Sequence, residues 1–292
     1  PLSTARNKRD LEKRARHKTL TEWTVQFIAV LSKWLKKEIP FVLVADAAFA
    51  SHKIAHACAK AGGALVSRLR MDARMFHFPD HPQKRRGRPL LVGKRCPLFT
   101  DYLNDSNLIW QEIQVDWYGG GSKKVLVYSG TSLWYAYGIR PLPVRWVLVK
   151  DPEGKLKPVV LFSTNIDHPA AKIVETFVSR WPLEVAFEES RRHLGIETQR
   201  QWSDKAIERT TPCIFASFSI IVLMAMKHAE ATKETITMQN TAWYHKSHVT
   251  FSDVLSYVRL AVLRRKYFSK FGLKTELGKK DLEDLIIMGA AA

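Results

Sequence analysis

Two short apolar runs with a helical segment between them restrict the fold more than any other feature of the chain. Residues 41–46 read FVLVAD and residues 64–70 read ALVSRLR, and both runs have the length and β-branched content of buried strands. The segment between the runs has helical spacing and stops at Gly62 and Gly63. This helix and strand order predicts an α/β fold with a mostly parallel sheet.

The rest of the chain divides into a β-rich stretch and a helical stretch. Thr19 and Glu22 have the spacing of a capping box and predict the start of a helix that ends before Pro40. Residues 110–165 read as successive strands, with a hairpin turn at Asp151-Pro152-Glu153-Gly154. From Pro169 onward the spacing is helical, and it predicts helices over residues 170–195, 203–209, 212–229 and 251–268.

The composition indicates a globular protein with a polyanionic partner. The chain has 46 Lys and Arg against 28 Asp and Glu, a formal net charge of +18. Nucleic acid is the favoured partner, since Lys and Arg gain affinity by releasing counterions from phosphates, and an acidic membrane surface is the weaker alternative. The apolar run 213–226 is short of the roughly 20 residues that a membrane span needs, so we expect a buried core helix there.

Two carboxylates are placed where a metal site is expected. Asp46 follows a predicted strand, and ligand sites of open α/β sheets lie at the carboxyl ends of strands. Glu184 lies in FVSRWPLEVAFEESRRHLG, residues 177–195, within about 40° of Arg180 and Arg191 on one helix. Two metal ions held by such carboxylates would support phosphoryl transfer. A salt-bridge ladder along the helix is the alternative.

The spacing Phe177-x2-Arg180-x3-Glu184-x6-Arg191 resembles the Tyr-x2-Arg-x3-Glu-x6-Lys signature of bacterial insertion-sequence DDE transposases. The segments ADAAFAS, SRLRMDARMF, RWVLVKDP and AWYHKSHVTFSDVLSYVR also resemble one branch of that group. The resemblance covers about residues 20–265. It implies a ribonuclease H-like core that is incomplete here, a β-rich insertion and a helical C-terminal region.

The resemblance also implies roles for individual residues. Asp46 and Glu184 would be catalytic residues and metal ligands for two Mg²⁺ (or Mn²⁺) ions, and Arg180 and Arg191 would contact DNA. The partners would be double-stranded DNA at the element ends and at the target, and a second copy of the chain in a homodimer, without a membrane. The location would be the bacterial cytoplasm, with the nucleoid. The implied domains are a basic linker (1–18), a partial core (19–75), a β-rich insertion (76–168), core helices with the catalytic Glu (169–230) and a helical C-terminal region (231–292).

Several features of the chain differ from the family pattern. Phe177 replaces Tyr, Arg191 replaces Lys, and Pro182 stands inside the signature. Pro182 either fits the first turn of a helix or kinks the helix, and a kink would take Arg180 off the face of Glu184. None of the acids before Asp46 follows an apolar strand, so we expect the first catalytic Asp to be missing, with an N-terminal truncation that leaves this chain inactive alone. The alternative is a catalytically dead remnant that only binds DNA. The acids concerned are Asp10, Glu12, Glu22 and Glu38.

Other residues are secondary candidates for the same functions. Arg86 and Arg88 form an Arg-Gly-Arg that follows Lys84; this segment could lie in a narrow DNA minor groove, or form an ordinary basic loop. Trp181 and Trp202 could stack on bases or pack in a core.

Three further acids and two histidines are candidates with structural alternatives. Glu188 and Glu189 are substitutes for Glu184 as a metal ligand. His52 and His56 have i,i+4 spacing but no third ligand, which favours two helix-surface histidines over a metal site. Asp204 is expected near a helix N-terminus.

Overall fold

The computed structural model describes residues 18–35, 39–79, 90–240, 243 and 245–271. The chain forms two compact units, Leu2–Trp181 and Pro182–Ala292. The first unit is built on a β-sheet, and the described part of the second is helical.

A seven-stranded mixed sheet organises the first unit. Its order is β1-β2-β7-β6-β5-β3, and β4 pairs with β5 beside this path. Only β1 and β2 run parallel among the described pairs, and the others are antiparallel. The expectation of a mostly parallel sheet is therefore wrong beyond the first pair. The strands are β1 (Val42–Val44), β2 (Ala64–Leu69), β3 (Met75–Phe76), β4 (Gln111–Asp116), β5 (Ser122–Trp134), β6 (Leu142–Lys150) and β7 (Val159–Ser163).

Helices cover both faces of this sheet. They are α1 (Leu20–Trp34), α2 (His52–Lys60), α3 (Phe99–Asn104) and α4 (Ala170–Val178). The mixed α/β architecture with a central sheet confirms the expected fold class and is consistent with a ribonuclease H-like nuclease fold. The predicted capping box is present at α1, where Thr19 Oγ1 accepts from the Glu22 amide at 3.3 Å and Glu22 Oε2 accepts from the Thr19 amide at 2.8 Å.

The alternation of side chains along the strands creates two cores. On one face Leu65 and Phe162 are fully buried in a cluster with residues of α1, α2 and α3. On the other face Val66 and Leu161 pack with Ile173 and the rest of the inner side of α4. Because neighbouring strand residues point to opposite faces, one strand sequence supplies both cores.

The strands predicted over residues 110–165 are confirmed as β4 to β7, and they continue the sheet that β1 and β2 begin. The predicted turn between β6 and β7 is also present. Gly154 has φ +70°, which favours glycine, and the Asp151 carboxylate accepts from the Glu153 and Leu156 amides at 3.3 and 3.0 Å. The domain boundaries expected from the sequence stay a prediction.

The described part of the second unit contains α6 (Asp204–Thr232) and α7 (Phe251–Phe271), preceded by α5 (Trp181–Leu194). Phe218 of α6 stacks on Phe251 of α7 with ring centroids 4.4 Å apart. Two helices predicted over residues 203–209 and 212–229 are in fact one helix, which continues through Pro212. The predicted helix over residues 170–195 is instead two, α4 and α5.

Helix α6 is exposed along much of its apolar surface. Its segment Glu208–Thr232 is long and apolar enough to cross a membrane by length and composition alone, and 6% of its apolar window is buried. Such a match is weak evidence of a membrane span. The expectation of a buried core helix over residues 213–226 is nevertheless wrong, because Ile220, Leu223 and Met226 are each more than half exposed.

Candidate active site

Asp46 lies directly after β1, at the start of a 3₁₀ turn over Ala47–Phe49. Its Oδ1 accepts from the Ala47 amide at 2.8 Å, and no described residue donates a hydrogen bond to Oδ2. The side chain is exposed. Asp46 therefore keeps one carboxylate oxygen open to solvent at the end of the strand, where a metal ion could bind it.

The backbone around Asp46 is held against β2. The Ala45 amide donates to the Val66 carbonyl at 3.0 Å, and the Ser67 hydroxyl donates to the Asp46 carbonyl at 3.0 Å. Ser67 is fully buried. This anchoring residue was missed by sequence reasoning, although a serine inside an apolar strand was a visible signal.

Glu184 lies in the first turn of α5 and is half-buried. A carboxylate there is favoured by the partial positive charge of the helix N-terminus. Pro182 occupies the same first turn, where the missing amide hydrogen costs nothing because those amides lack intrahelical partners.

Arg180 does not share a helix with Glu184. Helix α4 ends at Val178, Ser179 caps it, and α5 begins only at Trp181. The expectation that Arg180, Glu184 and Arg191 line one helix face is therefore wrong for Arg180. Its guanidinium carbon lies 5.8 Å from the ring centroid of Phe177.

Arg191 is engaged beyond the end of α5. Its Nε and a terminal nitrogen donate to the two carboxylate oxygens of Glu197 at 2.7 and 2.9 Å. These hydrogen bonds raise the pKa of the Arg191 guanidinium and lower that of the Glu197 carboxyl. Both side chains are exposed, so the pair adds little stability and a phosphate could compete for the guanidinium.

Salt bridges along the helix were the alternative to a metal site at Glu184, and such pairs form on neighbouring residues of α5. Glu188 accepts from Arg192 at 3.1 Å, and Glu189 lies 3.3 Å from the Nε2 of His193. Both substitutes for Glu184 are therefore paired with bases of their own helix.

Asp46 and Glu184 belong to different compact units, the first to Leu2–Trp181 and the second to Pro182–Ala292. Within the described ranges, no three His, Cys, Asp or Glu side chains form a group that could hold a metal ion. Asp46 has the right donor for a divalent cation, a hard carboxylate oxygen, but it supplies a single ligand within its unit.

The remaining candidates have varied surroundings. Trp181 is 44% exposed and meets Tyr118 edge-to-face, with ring centroids 5.4 Å apart, while Trp202 is 97% exposed. Ser203 is the N-cap of α6 through its bond from the Ala206 amide, so Asp204 is the first helical residue. Lys84, Arg86 and Arg88 lie outside the described residues.

The two histidines of α2 pack against the sheet unit. His52 stacks on Trp134 with ring centroids 3.9 Å apart, and burial lowers the pKa of its imidazole. His56 Nε2 lies 3.0 Å from the Arg140 carbonyl. The sequence predicted two histidines on the helix surface, but both side chains are half-buried.

The comparison with protein families gives a match to part of the chain. Residues 1–125, less than half of the 292, match the family model described as DDE superfamily endonuclease. The matched region contains Asp46, α1, α2 and the first strands of the sheet. A comparison with curated proteins found no match.

Proposed function

From the match of residues 1–125, which supports a DDE transposase-like protein of a nuclease-type family, we propose that the chain is an insertion-sequence transposase. In this proposal it cleaves phosphodiester bonds at the element ends and transfers strands to target DNA, as a homodimer in the bacterial cytoplasm. The superfamily implies a DNA substrate and generally uses divalent metal ions. The match to the endonuclease family is the observation that carries the proposal.

The position and chemistry of Asp46 support a role in that reaction. Its backbone is anchored by Ser67 and by the pairing of β1 with β2, so its open oxygen has a defined position. An oxygen that is already held in place binds a cation without a further loss of side-chain conformational entropy.

Glu184 is proposed as the second ligand. It is held at the start of α5, where Pro182 sets the backbone of the first turn. Mg²⁺ (or Mn²⁺) bound by these carboxylates would activate an attacking oxygen and stabilise a leaving oxygen. Arg180 and Arg191 would orient the DNA by binding phosphate oxygens, for which the guanidinium fork is suited.

A catalytically dead, DNA-binding protein is the second candidate. The number of metal ligands supports this candidate, because the described residues contain no group of three metal-binding side chains. Glu22, an acid earlier in the chain than Asp46, already closes the capping box of α1. A DNA-binding protein without catalysis would need only the net charge of +18.

The two candidates differ in metal-dependent cleavage. We expect residues 1–292 alone to bind labelled duplex DNA carrying the element ends without cutting it, and a protein completed with the first catalytic Asp to cut it when Mg²⁺ or Mn²⁺ is added. Asp46→Asn and Glu184→Gln should each lower the cleavage rate by at least about a hundredfold, because each removes a charged ligand oxygen. Both variants should keep DNA binding in the presence of a chelator.

Glu188→Gln is the matched control, since Glu188 lies on the same helix and is paired with Arg192. It should leave the cleavage rate unchanged. A completed protein that binds DNA but never cuts it would support the second candidate, and full activity of Asp46→Asn in that protein would exclude Asp46 as a ligand.

A further inference from the structure

A cavity of about 530 Å³ opens at the carboxyl end of β2, beside the turn that follows Asp46. Ala47, whose amide binds the Asp46 carboxylate, forms part of its wall. The other walls come from the end of β2, from Thr100 in α3 and from the segment that leads into β7. All of these residues belong to the sheet unit.

The charged side chains around the cavity are mostly basic. Arg68, Arg70 and Lys157 line it, with Asp72 as a carboxylate beside them. Asp72 accepts two hydrogen bonds from Arg70, both at 2.8 Å, so these two charges cancel locally. Neither Arg68 nor Lys157 forms an ion pair with another described residue, and both are exposed. Two positive charges are thus left for a ligand.

Arg68 stands out in its own strand. Its neighbours Ser67 and Leu69 are buried, and Val66 on the same face of the sheet is fully buried. Arg68 is exposed and lines the cavity, so its guanidinium stays in contact with solvent. The pairing of Arg68 with Leu161 of β7 fixes the position of its backbone. Its backbone position is therefore set before any ligand arrives.

Lys157 is positioned by the hairpin between β6 and β7. The buried Asp151 carboxylate holds the Leu156 amide at 3.0 Å and the Lys123 ammonium at 3.2 Å. Lys157 follows immediately and Pro158 restricts the backbone after it. The two cations that pair with no other described residue therefore reach the cavity from β2 and from the anchored hairpin that leads into its neighbour β7.

We propose that this cavity is a phosphate-binding site for a DNA strand, in which Arg68 and Lys157 bind phosphodiester oxygens next to Asp46. The identification of the polyanion as DNA rests on the proposed function. The site would hold a phosphate beside the candidate catalytic carboxylate and so position the strand relative to it. An open cavity with two free cations and an apolar floor at Val160 suits a backbone phosphate that enters from solvent.

The test is DNA binding by the full chain in EDTA, measured by fluorescence anisotropy between about 50 and 200 mM salt, the range over which phosphate contacts change affinity strongly. In Arg68→Gln/Lys157→Gln, the slope of log K against log salt should become shallower by about 2, since each lost phosphate contact removes about 1. Lys155→Gln is the matched control. Lys155 lies on the same hairpin, is paired with Glu153 and does not line the cavity.

An unchanged slope in the double variant overturns the inference, as does a wild-type chain that binds no DNA. An equal loss of binding to poly-glutamate overturns it too, because the site would then recognise acidic protein. Thermal unfolding checks the fold of the variants, and Lys157→Gln alone, with an expected change of about 1, carries the test if the double variant unfolds early.

The assay separates this inference from the proposed function. Because it contains no free divalent metal, its result does not depend on cleavage. A shallower slope with no cleavage even by the protein completed with the first catalytic Asp would sink the enzyme proposal and leave the phosphate site standing. Cleavage with an unchanged slope would support the enzyme proposal and overturn the phosphate site.

Discussion

At the scale of single residues, one buried carboxylate of the second unit shows how hydrogen bonds can outweigh burial. Asp253, at the start of α7, is buried and accepts from Lys246 at 2.7 Å, from the Gln239 amide at 2.9 Å and from Thr250 at 2.8 and 2.9 Å. Burial opposes its ionisation, but these hydrogen bonds outweigh burial and lower the pKa of its carboxyl to about 2. One carboxylate thus ties the segment after α6 to the start of α7.

We expect Asp253→Asn to lower the free energy of unfolding of the second unit by about 3 kcal/mol, because it leaves the Lys246 ammonium without its counter-charge. Urea unfolding measures the change. Glu188→Gln, which breaks an exposed pair, should change it by less than about 1 kcal/mol. Equal effects of the two substitutions would contradict the anchoring role.

The depressed pKa also predicts how stability depends on pH. The unfolded carboxyl has a pKa near 3.8 and the folded one about 2, so the contribution of Asp253 is complete above the unfolded value. It is lost as the pH falls from about 4 to about 2. Unfolding measured across this window should show a loss in wild-type protein that is absent from Asp253→Asn.

At the scale of elements, the hairpin between β6 and β7 shows how one side chain shapes a loop. Asp151 is buried, yet hydrogen bonds from Lys123 and from the Leu156 and Glu153 amides offset burial and keep the pKa of its carboxyl lowered. The turn residues were readable from the sequence as a turn signal. The pairing with Lys123, which lies on β5, was not.

Asp151→Ala should loosen this hairpin without unfolding the sheet. We expect faster hydrogen exchange at the Leu156 amide, which loses its acceptor, by roughly tenfold, the effect of about 1.4 kcal/mol. The amides of β6 paired with β5 should stay protected. Unchanged exchange at Leu156 would show that the turn backbone alone holds the loop.

At the scale of the whole molecule, the two compact units have separate hydrophobic interiors. The sheet unit buries two clusters, one on each face, with Phe162 in the first and Leu161 in the second. The described helices of the second unit meet through Phe218 and Phe251 and through the bond between His228 and Tyr257 at 2.8 Å. Each unit therefore has its own basis for cooperative unfolding.

Calorimetry should accordingly resolve two transitions. Val160→Ala, which removes two buried methyl groups from the sheet, should lower one transition by several degrees. Asp253→Asn should lower the other. A single transition that both substitutions shift equally would contradict independent folding.

Much of the fold could be predicted because its signals are local. The capping box of Thr19 and Glu22, the strands around residues 42–44 and 64–69 and the Asp151 turn depend on neighbouring residues, and all are present. The direction of the later strands could not be predicted, since it depends on which distant strand pairs with β2. The break between α4 and α5 was only an alternative suggested by Pro182, because a proline fits either the first turn of a new helix or a kink in a continuous one.

The amino-acid sequence by itself determined the mixed α/β class, the placement of Asp46 at a strand end and the excess of positive charge. These follow from local periodicity and from counting residues. Only the tertiary structure decided that Arg191 pairs with Glu197, that Ser67 anchors Asp46 and that Arg68 and Lys157 reach one cavity. These three contacts join residues that do not neighbour each other in the sequence. Such contacts depend on the path of the chain and on strand register, which local propensity does not encode. The roles of Asp46 and Glu184 in catalysis stay predictions.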